Sequence, residues 1–370
     1  MNDSRRQFIL GAANSVLAAG VLSTSILSGC SWQAKRSWLV SSCDDHQGKH
    51  LAAALDLDGK VISTVTLPAR GHDALALPHK PSHALIFARR PGKFALEVDF
   101  SQGQIVKQFQ SQGDSHFYGH GVFSKDGRYM YTTENLYDKN QGVVVVRDAK
   151  TYQVLDRFDS GGIGPHELVL MPDGKTLAVA NGGIQTHPEQ PRKKLNLDTM
   201  QPNLAYIDIA STKVLDSYQP SDHQLSLRHL DVAADGEVII GAQYQGHNSA
   251  IRPLLFAHQG QDNLQAFDAD EQQWYNMQQY TASVLVNNNQ IFVSCPRGSH
   301  LSFWDRQSKT FSHKQKFKDV SGLTQSKQTV LASSGRGVLK QINQSQTHNL
   351  PNQQTNTLKF DNHMTVISAV

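Results

Sequence analysis

Cysteine is scarce: the 370 residues hold three, Cys30, Cys43 and Cys295. If a signal segment ending at Cys30 is removed, Cys43 and Cys295 are left in different repeats of the chain, so no disulfide is expected between them. Charge of one sign is lacking as well. Thirty-five Lys and Arg stand against 32 Asp and Glu, a formal net charge of +3 that leaves no nucleic-acid footprint. There is no Gly-x-Ser-x-Gly elbow, no Cys-x-x-Cys-His haem attachment, no His-Glu-x-x-His and no phosphate-binding loop, so those catalytic classes are without support. The one moderately apolar run, 11–27, is too short and too rich in Ala, Ser and Gly for a membrane span.

What is present at the N-terminus is an address. Ser4-Arg5-Arg6-Gln7-Phe8-Ile9-Leu10 is a twin-arginine export signature, and Leu27-Ser28-Gly29-Cys30 matches a bacterial lipobox at all four positions. Residues 1–30 are therefore expected to be a signal peptide read through Arg5 and Arg6, with Cys30 acylated as the first mature residue. Cleavage at small residues nearby, leaving a soluble periplasmic protein, is the alternative. Ser31 after the cysteine, rather than aspartate, points to the outer membrane of a Gram-negative cell. Twin-arginine export carries folded proteins, often with a cofactor already inserted.

Residues 31–370 are expected to form a single domain. Five histidines, His72, His120, His166, His229 and His363, each precede a short apolar stretch, a turn and a second apolar stretch. The first two gaps are 48 and 46 residues, the third, 63, fits one period plus an insertion, and the last, 134, is close to three periods. Strand patterns repeating every 40–50 residues are the mark of propeller blades. The third repeat is the clearest, with a strand from His166, the turn Pro172-Asp173-Gly174-Lys175, and strands at 176–180, 204–209 and 214–218. The fifth and sixth repeats begin near Ser283 and Ser321, with no histidine. After His363 one strand fits, and 38–42, 50–55 and 61–66 can complete its blade, protecting the sheet edges. The expected fold is all-β: a seven-bladed β-propeller closed by pairing N-terminal strands with the C-terminal strand, six or eight blades being the alternatives. Two insertions, 184–202 with Arg192, Lys193 and Lys194, and 246–252, should overhang the face where the inner strands begin. A brief helix or irregular connection is expected at 268–279.

The histidine set is the leading candidate for chemistry. Neutral imidazoles suit Fe, Cu, Zn and Ni, and three or more converging make a metal site. Alternatively, imidazoles hydrogen-bond neighbouring blades and bind nothing. A second ring, at the ends of the second strands, is a candidate anionic-ligand collar comprising Arg89, Arg90, Glu134, Asn135, Asn181, Gln243, Arg297 and Arg336, with Glu167 beside His166. Glu134 and Glu167 are candidate acids or bases. The alternative is a set of solvated loop charges.

The motifs 118–124 through Thr133-Glu134-Asn135, 163–168 through Ala180-Asn181-Gly182-Gly183, Leu195-Asn196-Leu197-Asp198-Thr199-Met200 and Ala242-Gln243-Tyr244-Gln245-Gly246 resemble an uncharacterised bacterial propeller family. The resemblance spans nearly all of the mature chain, and that family is grouped with YVTN-repeat, quinoprotein amine dehydrogenase-like propellers. It implies gene neighbours of the imelysin iron-uptake type and a dihaem thiol-oxidoreductase-like protein, and so a periplasmic role in iron acquisition. It brings no established reaction and no quinone cofactor. Three readings follow: a monomeric, membrane-anchored binder of a metal or an anionic iron-bearing ligand, a metal-dependent redox enzyme at the His-lined mouth, and a scaffold docking imelysin-like or haem-containing partners.

Overall fold

The computed structural model describes residues 37–190, 193–343, 346–351 and 357–369. The twin-arginine pair, the lipobox with Cys30, and Arg192 lie outside the described residues. Seven antiparallel sheets form the seven blades of a β-propeller. The inner strands of blades one to six are Gly71–Ala76, Ser115–Phe123, Pro165–Leu170, Leu225–Val232, Val284–Asn287 and Val320–Ser326. The seventh blade is the closure: Thr365–Ser368 pairs with Ser37–Asp44, followed by His50–Asp56 and Val61–Thr66. A further short strand, Lys359–Phe360, pairs with Cys43 and Asp44.

The core is annular because each blade buries both faces against its neighbours. Second and third strands such as His83–Ala88 and Phe94–Asp99 are buried almost throughout and read as continuous apolar runs, whereas the outer strand Gln104–Gln110 is exposed. Ala52 and Ala54 of the closing blade pack on Ala84, Ile86 and Leu96 of blade one, and Leu39 and Leu55 meet Leu331 and Leu339 of blade six. Ring closure is therefore a packed interface as well as a ladder. The Asp-Gly hairpins turn as expected, with Gly127 and Gly174 both at φ 68°. The 268–279 connection holds the helix Glu271–Asn276, capped by the Asp270 side chain accepting from the Gln273 backbone N–H. Cys43 and Cys295 are buried and unpaired.

One local irregularity positions the site. The inner strands of blades one to four each carry a register shift, between Gly71 and Ala74, Phe117 and Gly121, Pro165 and Glu167, and Leu227 and Leu230. A histidine falls inside every one. Bulges bend a strand and re-aim its side chains, which here turns the imidazoles toward the propeller axis. All four inner strands start before their histidine, by one residue at Gly71 and Pro165 and by several at Ser115 and Leu225.

Candidate metal centre

The imidazoles of His72, His120, His166, His229 and His363 form one buried cluster. The His363 ring lies 4.6 Å from those of His72 and His120 and 4.7 Å from that of His229. His166 stands 4.6 Å from His229 and 5.1 Å from His120. His72 and His229, across the cluster, are 6.5 Å apart.

Serines in blades five and six explain how five residues on a seven-fold ring come this close. Ser283 Oγ donates to the Asn362 carbonyl at 2.7 Å, and Ser321 Oγ to the Asp361 carbonyl at 3.2 Å. Small side chains there let the 361–363 segment lie across the front of both blades, carrying His363 to the axis. Gly322 is needed for the same reason, since a Cβ on it would crowd Ser333 Oγ, the His363 carbonyl carbon and Met364. Gly119, at φ +102°, makes room in the same way for the His72 ring.

Carboxylates orient the rings from outside. Asp361 accepts from His72 Nδ1 at 3.0 Å and is clamped by Arg70 at 2.8 Å and Arg89 at 3.1 Å. Glu167 bonds His229 Nδ1 at 3.0 Å and the Leu230 N–H at 3.2 Å, and Asp73 stands 3.3 Å from His120 Nδ1. Such partners fix the tautomer of a metal-binding imidazole and raise its basicity. On the inner side, the Nε2 atoms of His72 and His120 are 3.2 Å apart. Two ligands bonded at about 2.0–2.1 Å to one ion sit about 2.9 Å apart at a right angle and about 3.4 Å apart in a tetrahedron, so this spacing fits a shared ion. Nε2 of His229 and of His363 are buried with no hydrogen-bond partner, as is Nδ1 of His166. Donor atoms left over in a buried site are what an ion would use.

The electrostatics keep lone pairs available. Burial lowers the pKa of His72 to about 3, with the Asp361 hydrogen bond opposing and the His363 and His120 charges adding. Burial and mutual repulsion hold His166, His229 and His363 well below their ordinary value. His120 is the exception: burial works against its charge, but Glu167 and Asp73 outweigh it and raise its pKa. Glu167 is itself raised by burial, against the pull of His120 and His363. Asp361 goes the other way, for its His72 bond and its two arginines overcome desolvation. Three overlapping groups have ligand atoms within 4.8 Å of one another: His72 with His120 and His363, His120 with His166 and His229, and Glu167 with His229 and His363. The first two are all-nitrogen sets suited to Zn or Cu. The third has the two-histidine, one-carboxylate composition of non-haem iron sites.

Residues 65–367 match the family model described as "Protein of unknown function (DUF1513)". The chain belongs to that family. No curated protein matches it. Among solved structures, hydrazine synthase of Kuenenia stuttgartiensis is similar at a TM-score of 0.58 and 13% identity, over 88% of this chain and 94% of that one. A functionally unknown protein of Desulfotomaculum acetoxidans aligns at a TM-score of 0.57 and 9% identity, over 90% and 99% of the two chains. At such identities the likeness is one of fold alone.

For this family member the expected anionic collar does not hold together as one ring. Glu134 is wholly buried inside blade two, where Arg147 donates to its Oε1 at 2.6 Å and Ser115 to its Oε2 at 2.6 Å. Asn181 is spent on Ser160 and Asn203, and Gln243 donates to the Thr281 carbonyl. Arg89 serves Asp361. Arg336 is exposed on blade six. The cause is alternation: consecutive residues at a strand end face opposite sides of the blade, so sharing a strand end does not mean sharing a pocket. Asn135, next to Glu134, is buried with both amide atoms unpartnered. Arg90 and Arg297 do face the mouth, lying 5.5 Å over the Tyr118 ring and 4.4 Å over the Tyr280 ring. Tyr118, 6.3 Å from His166, donates to the Ile184 carbonyl and so ties down the 184–202 insertion.

Sequence reasoning missed Asp73, Asp361, Tyr118 and Arg228. Three of them carried a signal: Asp73 and Arg228 are chain neighbours of ring histidines, and Asp361 precedes His363 by two.

Proposed function

We propose that this protein is a periplasmic, membrane-anchored propeller that binds a transition metal in its five-histidine cage and serves an iron-acquisition system. The supporting observation is the single buried cluster of five imidazoles, four of them held in the neutral form, oriented from outside by Asp73, Glu167 and Asp361, with unpartnered ring nitrogens inside. With Glu167 engaged on His229 Nδ1, the ligands are imidazoles, which suit Fe, Cu or Zn, and the iron-acquisition role makes iron the ion to test first. Imelysin-like or haem-containing periplasmic proteins are the partners this reading names, and binding rather than turnover is the role it assigns.

The test is metal analysis of the full chain purified without a histidine tag. One equivalent of transition metal is expected, and it should be lost in the His120→Ala/His166→Ala variant. The reading falls if no metal co-purifies and none rebinds when Fe(II), Cu(II) or Zn(II) is supplied. Redox turnover of the bound ion would replace the binder by the enzyme. Cell fractionation checks the address: Arg5→Lys/Arg6→Lys should block export, and Cys30→Ala should release the protein from the membrane. Unchanged iron uptake in a deletion strain would remove the pathway assignment while leaving the metal site.

A further inference from the structure

Arg228 stands beside His229 on the inner strand of blade four and is 1% exposed. Its guanidinium makes no hydrogen bond or ion pair with any described residue, and its Nε is sealed from solvent. A buried charge normally has a partner, because desolvating it alone costs several kcal/mol, of order. Arg228 has more cations around it instead. Arg90 lies over Tyr118, Arg297 over Tyr280, and Lys194 of the long insertion reaches across to the Gln245 side-chain oxygen at 2.5 Å. None of these three is paired with a described carboxylate, since the nearby Asp361 and Asp222 hold Arg70, Arg89 and Arg252. Burial lowers the pKa of Lys194, and repulsion from Arg228, Arg297 and Arg90 lowers it further.

Arg228 is buried, Arg90 half-buried, and Lys194 and Arg297 are exposed, so a charge without a partner lies behind three that solvent can reach, an arrangement that suits an incoming anion. We propose that Arg228, Arg90, Lys194 and Arg297 form a seat for a small, multiply charged anion, a polycarboxylate or an inorganic oxyanion, at the entrance to the histidine cage. Guanidinium forks suit both, because each presents paired oxygens to parallel N–H donors. Size is set by burial. Arg228 is only 1% exposed, so a nucleic acid or acidic protein surface cannot reach it. The seat goes beyond the metal reading and does not depend on it, because its charges come from none of the metal-binding side chains.

The experiment is isothermal titration of citrate and, separately, inorganic phosphate into the full chain, both metal-free and metal-loaded. Saturable one-to-one binding of at least one of them is expected in the metal-free protein, weakened tenfold or more by Arg228→Met and by Arg90→Met. Arg128→Met, on the exposed turn between the first two strands of blade two, should bind as wild type does. Binding of citrate alone assigns a polycarboxylate, and binding of phosphate alone an oxyanion. The His120→Ala/His166→Ala variant should lose metal and keep the anion, which separates failure of the cage from failure of the seat. Absence of binding by both anions in both forms, or undiminished binding in Arg228→Met and Arg90→Met, overturns the proposal.

Discussion

Two arginines in this propeller are buried to the same extent and could hardly be treated more differently. Arg147, at 1% exposure, lies between blades one and two over the rings of Phe109 and Phe117. It donates to Glu134, to Thr132 and to the carbonyls of Tyr152 and Gln110. Arg228, also at 1%, donates to nothing described. The first is a structural charge whose desolvation is offset within the chain. The second is left for something outside the chain to neutralise. Burial alone does not separate structure from function; the state of the partners does.

Breaking the satisfied pair should have the largest effect. Glu134→Gln strands the Arg147 charge and is expected to cost about 3–5 kcal/mol in denaturant unfolding. The double change Glu134→Leu/Arg147→Met should recover most of that loss, since no charge is then buried. Next in size is Asp361→Asn, which removes the negative charge behind His72 Nδ1 and should weaken metal binding about 10–100-fold in a chelator competition. Arg228→Met should have the opposite sign to Glu134→Gln. Relieving an uncompensated buried charge is expected to stabilise the metal-free fold by about 1–3 kcal/mol. Destabilisation by Arg228→Met would mean that the two arginines are alike after all.

The smallest expected effect is on acid stability. Glu97 bridges blades one and two by accepting from Lys80 and Tyr152, with His83 on the same carboxylate. Burial opposes its charge, but these partners win and hold its pKa below the ordinary 4.5. Its stabilisation is therefore present above that value and is lost as pH falls through the folded-state pKa. Glu97→Gln should flatten the acid limb of a stability–pH curve and leave the dependence above pH 6 unchanged.

The architecture was readable from local rules. Asp-Gly turns between apolar runs mark hairpins through glycine's tolerance of positive φ, and the histidine spacing sets the blade period. His363, with one strand's length of chain after it, implied closure by the N-terminal strands, and Thr365–Ser368 does pair with Ser37–Asp44. Strand ends were less informative. Glu134 and Asn135 are neighbours in the chain but face different surroundings, and a collar assembled from such positions mixed blade interior with mouth.

By itself, then, the sequence determined an all-β ring of seven blades, the register of the blades, and which five imidazoles lie nearest the axis. Period and pattern suffice for that, because they act within one blade at a time. The tertiary structure alone decided that the five rings meet. That outcome depends on bulges turning four of them inward and on Ser283 and Ser321 holding the last segment across two blades. It also decided that Arg147 has a partner and Arg228 has none. Those are distances between residues far apart in the chain, and no local pattern encodes them.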